Sequence, residues 1–283
     1  MSKENTAVTK KKMKRCKEDV VFDAACFIIL TLVLFVVAYP LYWVIISSIS
    51  APSAVSSGKV LLHPIGFTLK GYAEVFKNDQ VMRGFLNSLI ITFCGVMVNL
   101  IVTLPTSYAL SRSNFSGKKP ITIFYLITMF FSGGLIPTYL VIQKLQMLNT
   151  IWALILPGCL SVYNMIVART FFKSNISEEL YEAAEIDGCT QARFFFQIAL
   201  PLSKAIIAIL VLYYGVGHWN SYFSALVYIS DKAKYPLQLV LRNILITNQT
   251  ALSQTATTAA ARAALQEKQQ LIDVMKYSLI IIS

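Results

Sequence analysis

From Val20 to about Ser48 the chain is apolar over a length that makes about 40 Å of helix at roughly 1.5 Å per residue, enough to cross a lipid bilayer with tilt. Hydrocarbon offers a backbone N–H or C=O no partner, so a segment that lives there must satisfy those groups within itself, as a helix does. Similar runs recur at about 85–110, 121–143, 151–172 and 202–227, and another, 274–283, is incomplete. The pattern predicts an all-α, polytopic membrane protein. Composition agrees: 56% of residues are hydrophobic and 14% charged, against about 25% charged in an average soluble domain. A water-soluble fold would struggle to hide that much apolar surface.

Charge placement sets the topology. Residues 1–19 form a basic tail with Lys10, Lys11, Lys12, Lys14, Arg15 and Lys17 directly before the first run, and such an excess marks the cytoplasmic side. The same rule places the connection 111–120, with Arg112, Lys118 and Lys119, inside, together with the end of the fourth run at Arg169 and Lys173. Topology thus explains the net charge of +11 better than nucleic acid does. The first run is too long for a signal-peptide core, so an uncleaved anchor is expected although Ala51 to Ala54 mimics a cleavage site. Pro40, between Tyr39, Tyr42 and Trp43, suits a kink near the outer interface.

Residues 51–84 and 230–273 are then outer segments, the first a solvated connection with both signs of charge, either free in water or lying on the membrane surface. The second includes Ala256 to Gln269, rich in helix formers. Cys16, Cys26, Cys94, Cys159 and Cys189 show no paired spacing and read as buried or cytosolic thiols.

One polar stretch separates the fourth and fifth runs. Ser177 is placed to cap a helix, Glu178 and Glu179 fall in its first turn, and Gly188 is placed to end it in the left-handed conformation. Thr190 can open a second helix that Pro201 closes. A polar helix pair between membrane spans has nothing of its own to pack on, and its Ala and Phe side chains suggest a socket in another protein.

Glu182-Ala183-Ala184, Gly188, Ile198 and Leu200-Pro201 fall, without a gap, at the spacing of the EAA loop in the membrane subunits of ATP-binding-cassette importers, which this stretch resembles. Phe131 to Asn149, Trp219 to Phe223 and Tyr235 to Leu239 are similar to the carbohydrate-importing branch, including subunits like the second permease of the maltose transporter and oligosaccharide permeases. The resemblance implies a six-span ABC importer permease fold over 20–283, its sixth span truncated, in the bacterial plasma membrane. Within it, loop 177–201 would be the coupling element, with Glu182, Ala183, Ala184, Asp187 and Gly188 against a cytoplasmic ATPase. The implied partners are a second homologous permease, an ABC ATPase dimer, an extracytoplasmic solute-binding protein, membrane lipid and a carbohydrate cargo. ATP and Mg would be held by the partner ATPase, with no cofactor and no enzymatic activity in this chain. The sequence has no phosphate loop of its own, in keeping with that division of labour.

Sugars are bound by aromatic faces against their CH-rich sides and by amides against their hydroxyls. Tyr139, Trp219, Asn220 and Tyr222 offer that chemistry and are the candidate pathway residues. An interfacial aromatic belt would use the same side chains without a ligand. Asn99 reads as helix-packing glue, His218 as a packing or structural hydrogen-bonding group and His63 as a surface residue. A stand-alone channel or secondary transporter is the alternative, with the polar loop a mere connector. The spans lack an obvious ring of ionisable groups for one.

Overall fold

The computed structural model describes residues 17–251, 272 and 274–282. The basic tail up to residue 16, Cys16 and the expected helix Ala256 to Gln269 lie outside them. Among the described residues the secondary structure is helical, without a strand.

The chain opens with α1 (Lys17–Ser48), the short α2 (Pro52–Ser56) and α3 (Lys70–Lys77), and then α4 (Asp79–Ser111). Two of these, α1 and α4, are each long and apolar enough to cross a membrane. Pro40 lies inside α1 without ending it.

The remaining apolar runs fold as bent helix pairs, which raises the number of crossings to as many as five among the described residues. Where the sequence suggests one run over 121–143, α5 (Lys118–Phe130) and α6 (Leu135–Lys144) meet at 114°. Neither half is long enough to span alone, at roughly 1.5 Å per residue. Gly134 makes the bend by taking φ +83°, a conformation that costs other residues dearly. Pro137 then sits in the first turn of α6, where a missing N–H is tolerated.

The fourth run is α7 (Trp152–Ile155), a 3-10 turn at Leu156–Gly158, and α8 (Val162–Asn175), bent by 53°. Next come α9 (Glu178–Ile186), α10 (Gln191–Phe194), a π segment at Phe195–Ala199 and α11 (Leu200–Leu202). The stretch Gln191–Leu202 turns by 80° into α12 (Lys204–Trp219), which is followed by α13 (Tyr222–Tyr228) and α14 (Leu237–Ala251). The fifth run, expected over 202–227, is therefore interrupted after Trp219.

The described residues form two compact units, one reaching Tyr72 and including 274–282, the other running from Ala73 to 251. In the first, Ile46, Ala54, Val55, Val60 and Val274 form the core, and Trp43 meets Tyr277 edge-on at 5.1 Å. Residues 274–282 come close to Gly71, on which a Cβ would stand 2.5 Å from Ser278 Oγ.

In the second unit α4 is the spine against which α8, α12 and α14 pack. One face of α4 carries Gly84, Ser88, Gly95, Asn99, Thr103 and Ser107, all buried. Small residues there let neighbouring backbones approach, and the polar ones reach across to them. Ser88 Oγ accepts from Leu237 N at 2.8 Å, and Ser107 Oγ donates to the Met165 carbonyl at 3.1 Å.

Candidate functional site

The polar loop is built by local signals. Ser177 Oγ accepts from Leu180 N at 3.3 Å to start α9, with Glu178 and Glu179 in its first turn. Gly188 ends it at φ +77°, where its N–H reaches the Glu185 carbonyl at 3.0 Å and Cys189 N that of Ala184 at 2.9 Å. Thr190 Oγ1 accepts from Arg193 N at 3.4 Å and opens the second helix. Pro201 has no N–H to return to Gln197, and the wider π turn at Phe195–Ala199 lies just ahead of it.

The inner face of this loop is anchored, which corrects the expectation that the helix pair has nothing of its own to pack on. Tyr181, Phe194 and Phe195 are buried in one cluster with Tyr108 of α4 and Phe172 of α8. The Tyr108 ring lies 5.7 Å from Phe172 and 5.0 Å from Phe195, and Tyr181 meets Phe194 edge-on at 5.3 Å. Arg112, the residue that caps α4, places its guanidinium 4.1 Å from the Tyr181 ring centroid and its Nη2 3.3 Å from Glu178 Oε1. Ser113 Oγ donates to the same Glu178 oxygen at 2.5 Å.

Sequence reasoning used Arg112 only as a topology marker and passed over Tyr108 and Tyr181. The signal that would have revealed an inward stripe is Tyr181 and Ala184 at helical spacing; what meets that stripe comes from distant segments.

The outer face holds Glu182, Ala183, Glu185, Ile186, Asp187 and Gly188, all exposed, with Ala184 half-buried beneath them. Ile186 is 87% exposed and Phe196 65%. Of the three consecutive phenylalanines, then, one faces outward.

The candidate pathway residues fall into two places. Trp219, Asn220 and Tyr222 collect at the break between α12 and α13, where Asn220 caps α12. Trp219 packs edge-on against Phe85 at 5.9 Å. Asn220 is exposed and its Nδ2 donates to the Val216 carbonyl at 2.9 Å, so one amide hydrogen is engaged by the helix end. Tyr222 is exposed. Tyr139 stands on α6 and stacks on Tyr228, at the other end of α13, with ring centroids 6.3 Å apart.

Next to Trp219, His218 is buried and its Nε2 lies 2.9 Å from Asn99 Oδ1. Asn99 Nδ2 donates at 2.9 Å to the Gly158 carbonyl, in the break between α7 and α8. That carbonyl only accepts, which fixes the amide orientation; Oδ1 must then receive a proton, so His218 Nε2 is the donor. One turn further along α4, Thr103 Oγ1 lies 2.7 Å from the Tyr214 hydroxyl, which accepts from Ser161 N at 3.3 Å. The open backbone at 158–161 is thus closed by side chains of α4 and α12, the condition under which irregular backbone is tolerated at membrane depth.

Four cysteines, Cys26, Cys94, Cys159 and Cys189, are free and half-buried. Among the described residues no group of three or more His, Cys, Asp or Glu side chains is placed to hold a metal ion.

Helices long and apolar enough to cross a membrane, broken runs closed by buried polar side chains, and a polar helical loop with an exposed face mark a polytopic membrane protein. No family model matches the sequence. The chain is 38% identical over 225 residues to the polygalacturonan/rhamnogalacturonan transport system permease protein YtcP of Bacillus subtilis, covering 80% of this chain and 78% of that protein. It is 30% identical over 250 residues to the galactooligosaccharides transport system permease protein GanQ of the same organism, covering 84% and 85%. A crystal structure of a bacterial ABC transporter involved in the import of the acidic polysaccharide alginate has a chain that superposes with a TM-score of 0.84 at 26% identity, covering 95% of this chain and 94% of that one. The chain belongs to the permease subunits of sugar-transporting ABC importers.

Proposed function

We propose that the chain forms half of the translocation pathway of an importer for oligosaccharides. A second homologous permease would supply the other half, an extracytoplasmic solute-binding protein would deliver the cargo, and a cytoplasmic ATPase dimer would hold ATP and Mg. The N-terminus and loop 177–201 face the cytoplasm in this arrangement.

The observation that carries the proposal is the two-faced loop: Ile186 is 87% exposed at its tip while Tyr181, five residues earlier on the same helix, is 7% exposed. An ATPase groove would take the outer face through Glu182, Ala183, Asp187 and Gly188, with Ala184 packed beneath them against the inner cluster. Its movement would pass through Tyr181 and Phe194 to Tyr108 and Phe172, and so to α4 and α8. A partner shifts such an equilibrium only through different affinities for the inward-open and outward-open states. The cargo would pass the break holding Trp219, Asn220 and Tyr222, and Tyr139, which stacks on Tyr228 at the other end of α13, would line a separate part of its path. The cargo names of the relatives, each a carbohydrate polymer or fragment, support this class.

The test is to reconstitute the chain with its co-purifying partners in vesicles and follow uptake and ATP turnover across neutral and acidic oligosaccharides. Turnover that rises with the loaded binding protein, and uptake that requires nucleotide, are the expected results. Uptake without nucleotide or partner chains would instead establish a channel or secondary transporter.

A further inference from the structure

We propose, resting on the importer reading, that the break between α7 and α8 is an anion-binding recess on the cargo pathway that takes the carboxylate of an acidic sugar. The neighbouring helices engage only part of its backbone. Asn99 binds the Gly158 carbonyl, Ser161 N donates to the Tyr214 hydroxyl, and the Ser161 carbonyl accepts from Met165 N at 2.9 Å. Among the described residues nothing pairs with the N–H groups of Leu160, Val162 and Tyr163, or with the carbonyls of Cys159 and Leu160. Val162 and Tyr163 open α8, a helix of 14 residues, and a helix N-terminus directs its N–H groups and its dipole at negative charge. No carboxylate of the chain answers that end. The first turn of α8 has no acidic residue, and the sequence has no Asp or Glu between Asp79 and Glu178 or between Asp187 and Asp231. Those intervals hold the rest of α4, α5 to α8, and α10 to α13.

Asn164 points to a ligand independently. It stands in the first turn of α8, where the Cα–Cβ bond leans toward the helix N-terminus, and it is only 7% exposed. Its backbone N–H goes to Ser161 Oγ at 3.4 Å, while its side-chain amide has no partner among the described residues. A buried amide left without a hydrogen bond is destabilising. Lipid would leave it and the backbone groups unmet, and a second protein chain does not reach a side chain buried within this one. A small polar group arriving through water does. Space for it lies beside Gly158, where an added Cβ would meet nothing within 4 Å, next to the half-buried Cys159. Because α8 begins about midway between Trp152 and Lys173, the recess sits deep in the membrane.

The test uses the intact transporter in vesicles, with the native Cys159 thiol as reporter and its adducts read by mass spectrometry, so that no substitution is needed. Two methanethiosulfonates of similar size, one ending in a sulfonate and one in a quaternary ammonium, are applied from both sides. Relative to their ratio on free cysteine, the sulfonate is expected to gain at least fivefold at Cys159. Trigalacturonate should slow that labelling at least twice as much as the neutral galactotriose, and Asn164→Ala should reduce both the gain and the protection. No reaction with either reagent would show the recess closed to water. An equal or reversed ratio, or equal protection by the two sugars, would remove its preference for anions. Each of these outcomes overturns the proposal and leaves the importer reading standing, provided uptake still requires nucleotide; uptake without nucleotide would overturn that reading itself.

Discussion

Arg112 and Tyr181 form the closest cation–π pair between α4 and the polar loop, with the guanidinium carbon 4.1 Å from the ring centroid. The same cation reaches Glu178 at 3.3 Å and is itself only 13% exposed in its side chain. A planar cation on an aromatic face, partly desolvated, contributes about 0.5–2 kcal/mol, whereas the half-exposed ion pair adds about 1 kcal/mol at most. Arg112→Ala should therefore leave the spans folded but loosen the loop, lowering cargo-stimulated ATP turnover several-fold with a smaller change in basal turnover. Arg112→Lys keeps the charge without the planar fork and should recover only part of the loss. Tyr181→Phe should be nearly silent. Equal turnover in all three variants and the parent would remove the pair from the coupling route.

Gly188 isolates a backbone effect. Its φ is +77° and a Cβ placed there would meet nothing within 4 Å, so a substitution is strained by conformation and not by crowding. The left-handed region costs an ordinary residue about 1–2 kcal/mol, with Asn spared part of it and a β-branched residue penalised most. Cargo-stimulated turnover should fall in the order Gly, Asn, Ala, Val at position 188, and thermal stability of the purified complex should fall in the same order, by no more than that strain. A different order, or a loss tracking side-chain volume alone, would point to a steric contact with the partner.

Asn149 makes the same conformational choice without being glycine. Its φ is +60°, its N–H donates to the Tyr228 carbonyl at 2.8 Å, and its Oδ1 accepts from Asp231 N at 3.1 Å. Lys234 Nζ adds a bond to its carbonyl at 2.9 Å. Asn149→Gly keeps the backbone and loses one side-chain bond, a cost of about 1 kcal/mol. Asn149→Val loses the bond and adds left-handed strain, for about 2–3 kcal/mol in sum. Thermal unfolding of the purified complex should separate the two, with Val the less stable; matching values would show that the side-chain bond is the only term.

What was legible in the chain is what is decided within a few residues. Ser177, Thr190 and Gly188 act on backbone groups two to four positions away, so their types and spacing announce their roles before any tertiary contact exists. Asn99 was readable as a packing residue because an amide at membrane depth needs a partner, although the identity of that partner, a carbonyl 59 residues away, was not. Gly134 and Pro137 are local signals that weaken a helix, but the 114° bend depends on where the two halves find packing, which their own sequence does not state. The loop's anchorage fell outside reach for the same reason: Arg112 and Glu178 lie 66 residues apart, and a lysine- and arginine-bearing connection reads as a topology signal whether or not one of its cations is stacked on a ring.

The pairing of His218 with Asn99 exists because Gly95 leaves room for it. A Cβ at position 95 would come within 2.5 Å of both Cδ2 and Nε2 of the imidazole and 2.7 Å of its Cε1. The ring cannot yield without giving up Asn99, whose amide would then lose the hydrogen bond that orients it toward Gly158. Overpacking of this kind costs about 1–3 kcal/mol, and a buried interhelical hydrogen bond in a membrane protein adds about 0.6–2 kcal/mol. Gly95→Ala should accordingly lower the thermal stability of the purified complex clearly. His218→Ala alone should also be destabilising, through a cavity and an unpaired Asn99 oxygen. In the double variant the new methyl group enters the space the imidazole vacated, so Gly95→Ala should cost far less there than in the parent. The cycle is expected to give a coupling of at least about 1 kcal/mol, well above the few tenths seen for independent sites. An additive result would mean that α4 and α12 move apart to accommodate the methyl group, and that the close approach at Gly95 does not hold the polar link in place.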